Sequence, residues 1–106
     1  MFTVSALYHF TRLNEPNSLR GPIISLCEHE GIKGTILLAH EGINGTVAGP
    51  SAGIARLWAH ISDLPGCSNF THKESASKYM PFKRMKVRIK KEIVTMGKPN
   101  VDPSVK

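Results

Sequence analysis

Cysteine, acidic residues and long apolar runs are all scarce in this chain, and each shortage excludes something. The two cysteines, Cys27 and Cys67, stand far apart and make no C-x-x-C pair. With so few thiols and no export signal, a disulfide framework is not expected. No apolar stretch approaches the roughly 18 residues that a membrane-crossing helix requires, so no membrane partner is expected. The opening Met1-Phe2-Thr3-Val4-Ser5-Ala6-Leu7-Tyr8 lacks the charged start of a signal peptide, which makes the cytoplasm the expected compartment. His9, His29, His40, His60 and His72 show no metal-ligand spacing, and no metal site is expected. A Walker loop, a dinucleotide fingerprint and a nucleophile elbow are missing. So is the aromatic-rich strand pattern of the RNA-recognition motif. No catalytic residue is therefore expected within the chain.

What is present is a small, foldable and unevenly charged domain. The 106 residues, 41% of them hydrophobic, suit one domain with one modest core. The net charge is +6, and eight of the 14 Lys and Arg residues fall between positions 73 and 91: Lys73, Lys78, Lys83, Arg84, Lys86, Arg88, Lys90 and Lys91. Between His72 and Lys91 the only acid is Glu74. Such asymmetry points to an anionic partner.

Periodicity predicts the elements. Residues 3–10 alternate, with Val4, Ala6, Tyr8 and Phe10 on one side and Ser5, Leu7 and His9 on the other, as a strand does. A turn around Pro16 leads to a helix capped by Asn17 or Ser18, with Leu19, Ile23, Leu26 and Cys27 on one face, Pro22 near its start and Gly31 as its stop. Residues 33–39 and 43–49 read as strands joined by the tight turn His40-Glu41-Gly42. A second helix opens with Ser51 as its cap, carries Ile54, Leu57, Trp58 and Ile61 on one face, and ends at Leu64-Pro65-Gly66. A weaker strand is expected over 69–74 and a loop over 75–81. The order β-α-β-β-α-β predicts an α+β, ferredoxin-like fold, with two helices on one face of an antiparallel sheet and an extra C-terminal basic strand. Residues 1–96 would form this domain, and 97–106 a linker.

The basic stretch admits two periods. At period 2, Met85, Val87 and Ile89 face in, while Arg84, Lys86, Arg88 and Lys90 face out. At period 3.6, Phe82, Met85, Ile89, Ile93 and Met96 form a helical stripe that leaves Val87 and Val94 outside. The β-branched residues favour the strand. Cations on alternate strand positions repeat about every 6.7 Å and would make a positive track suited to a phosphate backbone. Lys83, Arg84, Lys86, Arg88, Lys90 and Lys91 are therefore the candidate RNA contacts. The plainer readings are a solvated edge strand whose lysines block aggregation, or a patch for an acidic protein surface.

A second constellation is His40-Glu41-Gly42-Ile43-Asn44-Gly45-Thr46. Its glycines suit a tight turn and close backbone approach. Glu41 and an exposed Asn44 are candidate loop contacts to a ligand or base, although Asn-Gly is also a common turn dipeptide and a structural role is the first expectation. Cys27, on an apolar helix face, reads as core. Cys67 follows Pro65-Gly66 and is expected to be exposed, without any neighbour that would activate its thiolate.

Two blocks carry a resemblance. Residues 31–46, GIKGTILLAHEGINGT, and 81–97, PFKRMKVRIKKEIVTMG, resemble the N-terminal domain of the rhodanese-containing, oxygen-dependent tRNA uridine-34 hydroxylase family. Val101-Asp102-Pro103 resembles the start of that family's link to its next domain. The resemblance implies an oxidoreductase of tRNA modification and processing, which makes 5-hydroxyuridine at the wobble position with molecular oxygen as co-substrate. It implies that the active-site cysteine belongs to a following rhodanese domain, which this stretch of chain does not include. Neither Cys27 nor Cys67 lies in a rhodanese-type loop. Partners would be tRNA and that rhodanese domain of the same polypeptide, with no cofactor in this domain.

Three readings compete. The first is a tRNA-binding accessory domain, inactive alone. The second is a structural module that packs on the rhodanese domain without touching RNA. The third, a free-standing acylphosphatase-type enzyme, wants a phosphate-cradling loop after the first strand. Thr11-Arg12-Leu13-Asn14-Glu15-Pro16 offers Arg12 but no glycine-rich cradle.

Overall fold

The computed structural model describes residues 1–90. Strand β1 (Phe2–Phe10) is followed by helix α1 (Pro16–Glu30), strands β2 (Lys33–Ala39) and β3 (Gly42–Gly49), helix α2 (Ser51–Ser62), and strands β4 (His72–Ser77) and β5 (Met85–Ile89). The strands form one sheet in the order β4-β1-β3-β2-β5. Strand β1 pairs antiparallel with β3 and β4, and β3 pairs antiparallel with β2. This is the ferredoxin-like arrangement.

Strand β5 pairs parallel with β2, so the whole sheet is mixed rather than antiparallel. The reason lies in the connection. The β4 end, Ser77, pairs with Phe2, while the β5 start, Met85, pairs with Gly34. Both lie at the end of the sheet where β1 and β2 begin. Residues 78–84 carry the chain from one edge to the other along that end, and β5 then has only the direction of β2 open to it.

One face of the sheet is sealed by the helices. Ile23 and Cys27 of α1 and Ile54, Leu57, Trp58 and Ile61 of α2 pack with Leu7, Ile36, Leu38, Ile43, Val47 and Val87. The alternation of β1 resolves in favour of Ser5 and Leu7, which are buried. Trp58 Nε1 donates to Ser5 Oγ at 2.8 Å, so the one polar group of β1 that enters the core is paired.

Local chemistry explains where the elements start. Helix α1 begins at Pro16, earlier than the sequence predicts, and neither Asn17 nor Ser18 caps it. Glu15 holds the cap position without a side-chain bond, and Ser18 Oγ donates to the Glu15 carbonyl at 2.8 Å. Proline suits the first helical position because its fixed φ is helical and its missing N–H is not needed there. Pro22 consequently lies inside the helix, on an exposed position. Gly31 ends the helix as expected, in the left-handed conformation at φ 72°. In α2 the cap is Pro50 rather than Ser51, and its carbonyl accepts from Ile54 N at 3.0 Å. Strand β4 covers 72–77 rather than 69–74, because Phe70 is drawn to Trp58, with ring centroids 5.7 Å apart.

Met85–Ile89 follows the strand reading. Val87, which the helical stripe leaves outside, pairs with Ile36 and is buried. That burial decides between the two periods. The rest of the expected basic strand, including Lys91, and the 97–106 linker lie outside the described residues.

Candidate nucleic-acid interface

The face of the sheet away from the helices is open, and the register assigns its occupants. One row runs Lys73, Ala6, Thr46, Thr35 and Lys86 from edge to edge. The next holds Tyr8, Asn44, Leu37 and Arg88. A third runs Ser75, Val4, Ala48 and Lys33. Neighbouring strands lie about 4.8 Å apart, so the backbones of Lys73 and Lys86 are about 19 Å apart across the face. Among the described residues no strand position on this face carries a carboxylate. Glu74 sits on the opposite parity of β4, where His72 Nε2 lies 3.0 Å from its Oε2.

The candidate cations fall where the alternation predicts. Lys86 and Arg88 are exposed on β5. Arg84 and Lys90 bracket the strand and continue its ladder: the Arg84 carbonyl accepts from Gly34 N at 2.9 Å, and Lys90 N donates to the Leu38 carbonyl at 2.8 Å. Arg84, Lys86, Arg88 and Lys90 thus keep one parity along β2. Lys83 is exposed just before them. Lys33 and Lys73 join the face from other strands. Sequence reasoning missed both as site residues, because only the register of β2 and β4 shows which way they point.

The loop candidates divide. Glu41 is exposed in the β2–β3 turn, and its carbonyl accepts from Thr11 N at 2.9 Å. The adjacent His40 carbonyl accepts from Leu13 N at 2.9 Å, and His40 Nδ1 lies 3.0 Å from the Leu13 carbonyl oxygen. Gly42 is required here, since at φ 152° an added Cβ would collide with the carbonyl oxygen of His9. The turn therefore has the structural role expected first. Asn44 is not exposed as expected. It is 7% exposed at the centre of the sheet, between Tyr8 and Leu37, because β3 is an interior strand flanked on both sides.

Both thiols lie where the thiolate is disfavoured. Cys27 is fully buried, and desolvation, with a smaller push from the Glu28 charge, raises its pKa to about 12. Cys67 is also buried rather than exposed, and burial raises its pKa as well. Its amide donates to the Leu64 carbonyl at 3.0 Å, folding the end of the α2 connection inward. Thiolate chemistry has no support at either position. The β1–α1 loop is no phosphate cradle either, since the Thr11 and Leu13 amides bond the β2–β3 turn.

Comparison with known proteins agrees with this geometry. The model of the UPF0176 acylphosphatase like domain family matches residues 2–93. The chain belongs to that family. A curated relative from Gluconobacter oxydans, named tRNA uridine(34) hydroxylase, is 59% identical over 100 residues, covering 94% of this chain and 32% of the relative. A protein of the same name from Caulobacter vibrioides is 54% identical, covering 97% of this chain and 33% of the relative. The chain thus spans about a third of the length of these relatives. Among solved structures, the acylphosphatase from Bacillus subtilis matches with a TM-score of 0.61 at 14% identity, covering 82% of this chain and 98% of that one. The BLUF domain structure of BlrP1 matches at 0.61 and 20% identity, covering 86% and 65%. At such identities the likeness is one of fold alone. Among the described residues no helix is long and apolar enough to cross a membrane.

Proposed function

We propose that this chain is an N-terminal accessory domain of a tRNA-modifying enzyme, and that it helps to hold tRNA while another domain hydroxylates the wobble uridine to 5-hydroxyuridine. The observation that carries the reading is the open sheet face, where Lys33, Lys73, Lys86 and Arg88 share one side with no carboxylate among them. The relatives that match nearly the whole chain are named for tRNA chemistry, which supports the same substrate here. Chemistry would belong to a following rhodanese domain with its own cysteine and molecular oxygen, since this domain has only two buried thiols. A cytoplasmic setting fits a tRNA substrate.

A tRNA titration at several salt concentrations tests the proposal. If about four phosphates are engaged, log K falls with log salt at a slope of about −3. The double change Lys86→Ala and Arg88→Ala is expected to reduce the slope by one to two, at roughly 0.7–0.9 per lost phosphate contact. Unchanged affinity and slope in that variant would remove these residues from the interface. The structural-module reading would then stand in its place.

A further inference from the structure

Phosphate contacts do not account for everything on the open face. Tyr8 and Phe10 project from the same side of β1 as Ala6, with ring centroids 5.0 Å apart at an interplanar angle of 68°. Phe10 is 57% exposed, which is unusual for a phenylalanine on a strand with a fully formed core beneath it. Its cross-strand partner is Gly42, so no side chain crowds it from β3. Beside this pair the sheet sinks into a depression of about 590 Å³, lined by Ala6, Tyr8, Asn44, Thr46, Thr71 and Lys73. That volume is within the usual range of small-ligand sites.

One polar group in the depression lacks a partner among the described residues, and a second lies beside it. The Tyr8 hydroxyl is buried and has no hydrogen-bond partner. A buried hydroxyl left unpaired is costly, and native proteins rarely keep one without a ligand or water to satisfy it. Asn44 lies next to Tyr8 in the register, and its amide offers donors and an acceptor. Cations bracket the site, with Lys73 on the β4 side and Lys86 and Arg88 on the β5 side.

We propose that this depression takes an unpaired nucleobase of a single-stranded RNA segment. One base enters the depression with its polar edge toward the Tyr8 hydroxyl and the Asn44 amide, the next base stacks on the exposed Phe10 ring at its rim, and the flanking phosphates run toward Lys73, Lys86 and Arg88. Aromatic faces stack on unpaired bases and leave paired ones alone, because bases in a duplex are already stacked on each other. A protein surface is the less suitable occupant, since it would have to bring carboxylates to several separate cations while filling a polar pocket. This inference rests on the RNA-binding reading above and adds the strandedness of the RNA and the residues that sense it.

The test compares an octamer of uridylate with a fully paired RNA duplex carrying the same number of phosphates. Both are titrated into the 106-residue chain and its variants at fixed low salt. Phe10→Ala removes an exposed ring and leaves the core untouched. It is expected to weaken the single strand about tenfold or more, in line with the loss of one base stack, and to leave the duplex within twofold. Tyr8→Phe keeps the ring and removes only the hydroxyl, and a weaker loss of about three- to tenfold for the single strand alone is expected. If Phe10→Ala affects neither RNA, or both equally, the base-stacking site is overturned while the phosphate track stands. If neither RNA binds the unaltered chain, both readings fall together.

Discussion

The two faces of the sheet are made by the same strands and share almost no chemistry. Toward the helices lie Leu7, Ile36, Leu38, Ile43, Val47 and Val87, closed over by Trp58 and its bond to Ser5. Toward the open side lie Ala6, Tyr8, Phe10, Asn44, Thr46, Lys73, Lys86 and Arg88. In β5 the switch occurs residue by residue, with buried Val87 between exposed Lys86 and Arg88. Alternation at period 2 lets a short domain place stability on one set of positions and leave the other for the proposed recognition of RNA. The corollary is that substitutions should separate cleanly into two classes, and each can be checked by measuring stability and RNA affinity together.

The largest effect is expected on the sealed face. Ile36→Ala empties a fully buried site opposite Val87 and should cost about 2–5 kcal/mol in urea unfolding. The RNA affinity of the fraction that remains folded should not change. Gly42→Ala comes next. Its Cβ would collide with the His9 carbonyl oxygen at a positive φ, and a loss of about 1–3 kcal/mol is expected from the backbone strain. This variant should also perturb the neighbouring Phe10, so it is the one place where the two classes mix. Ser5→Ala leaves the buried Trp58 N–H unpaired and should cost about 1–3 kcal/mol in the same assay.

A pH series sharpens the comparison further. The Cys27 pKa rises from 9.0 to about 12 on folding. Below pH 9 both states hold the proton and the contribution to stability is complete. Between pH 9 and about 12 the unfolded chain ionises first, so stability falls as pH rises, by at most about 1.4 kcal/mol per pH unit from this group. Urea midpoints of the unaltered chain should decline more steeply over that range than those of Cys27→Ala. Equal slopes would mean that the thiol is less buried than described. The smallest effect belongs to the open face, where Lys86→Ala with Arg88→Ala should leave the melting temperature unchanged while altering RNA binding.

Much of this division can be read in the residues before any coordinates. The helical faces of α1 and α2, the β2–β3 turn and the alternation of β5 all follow from apolar spacing, because burial selects one face of each element. Helix starts were harder to place. Asn17, Ser18 and Ser51 have capping side chains, but Pro16 and Pro50 took the boundary positions through backbone preference alone. Asn44 and Cys67, expected to be exposed, are buried for a different reason. Whether a polar residue in a strand meets solvent depends on which strands flank it, and whether a loop thiol is covered depends on how the loop folds back. Lys33 and Lys73 are not legible as site residues for the same cause, since they share a face with the β5 cations only through the sheet order β4-β1-β3-β2-β5. The Tyr8–Phe10 pair was visible as alternation, yet its side of the sheet was not.

The direction of β5 also fixes an anchorage. Lys90 lies one residue beyond the Leu38–Ile89 pair, in line with Ala39, Gly42 and Phe10. Lys90 is therefore fixed at the rim of the sheet where the exposed phenylalanine stands. An antiparallel β5 would have placed it about 17 Å away, one strand length toward the opposite rim. Strand polarity thus decides which rim of the sheet the last described residue reaches.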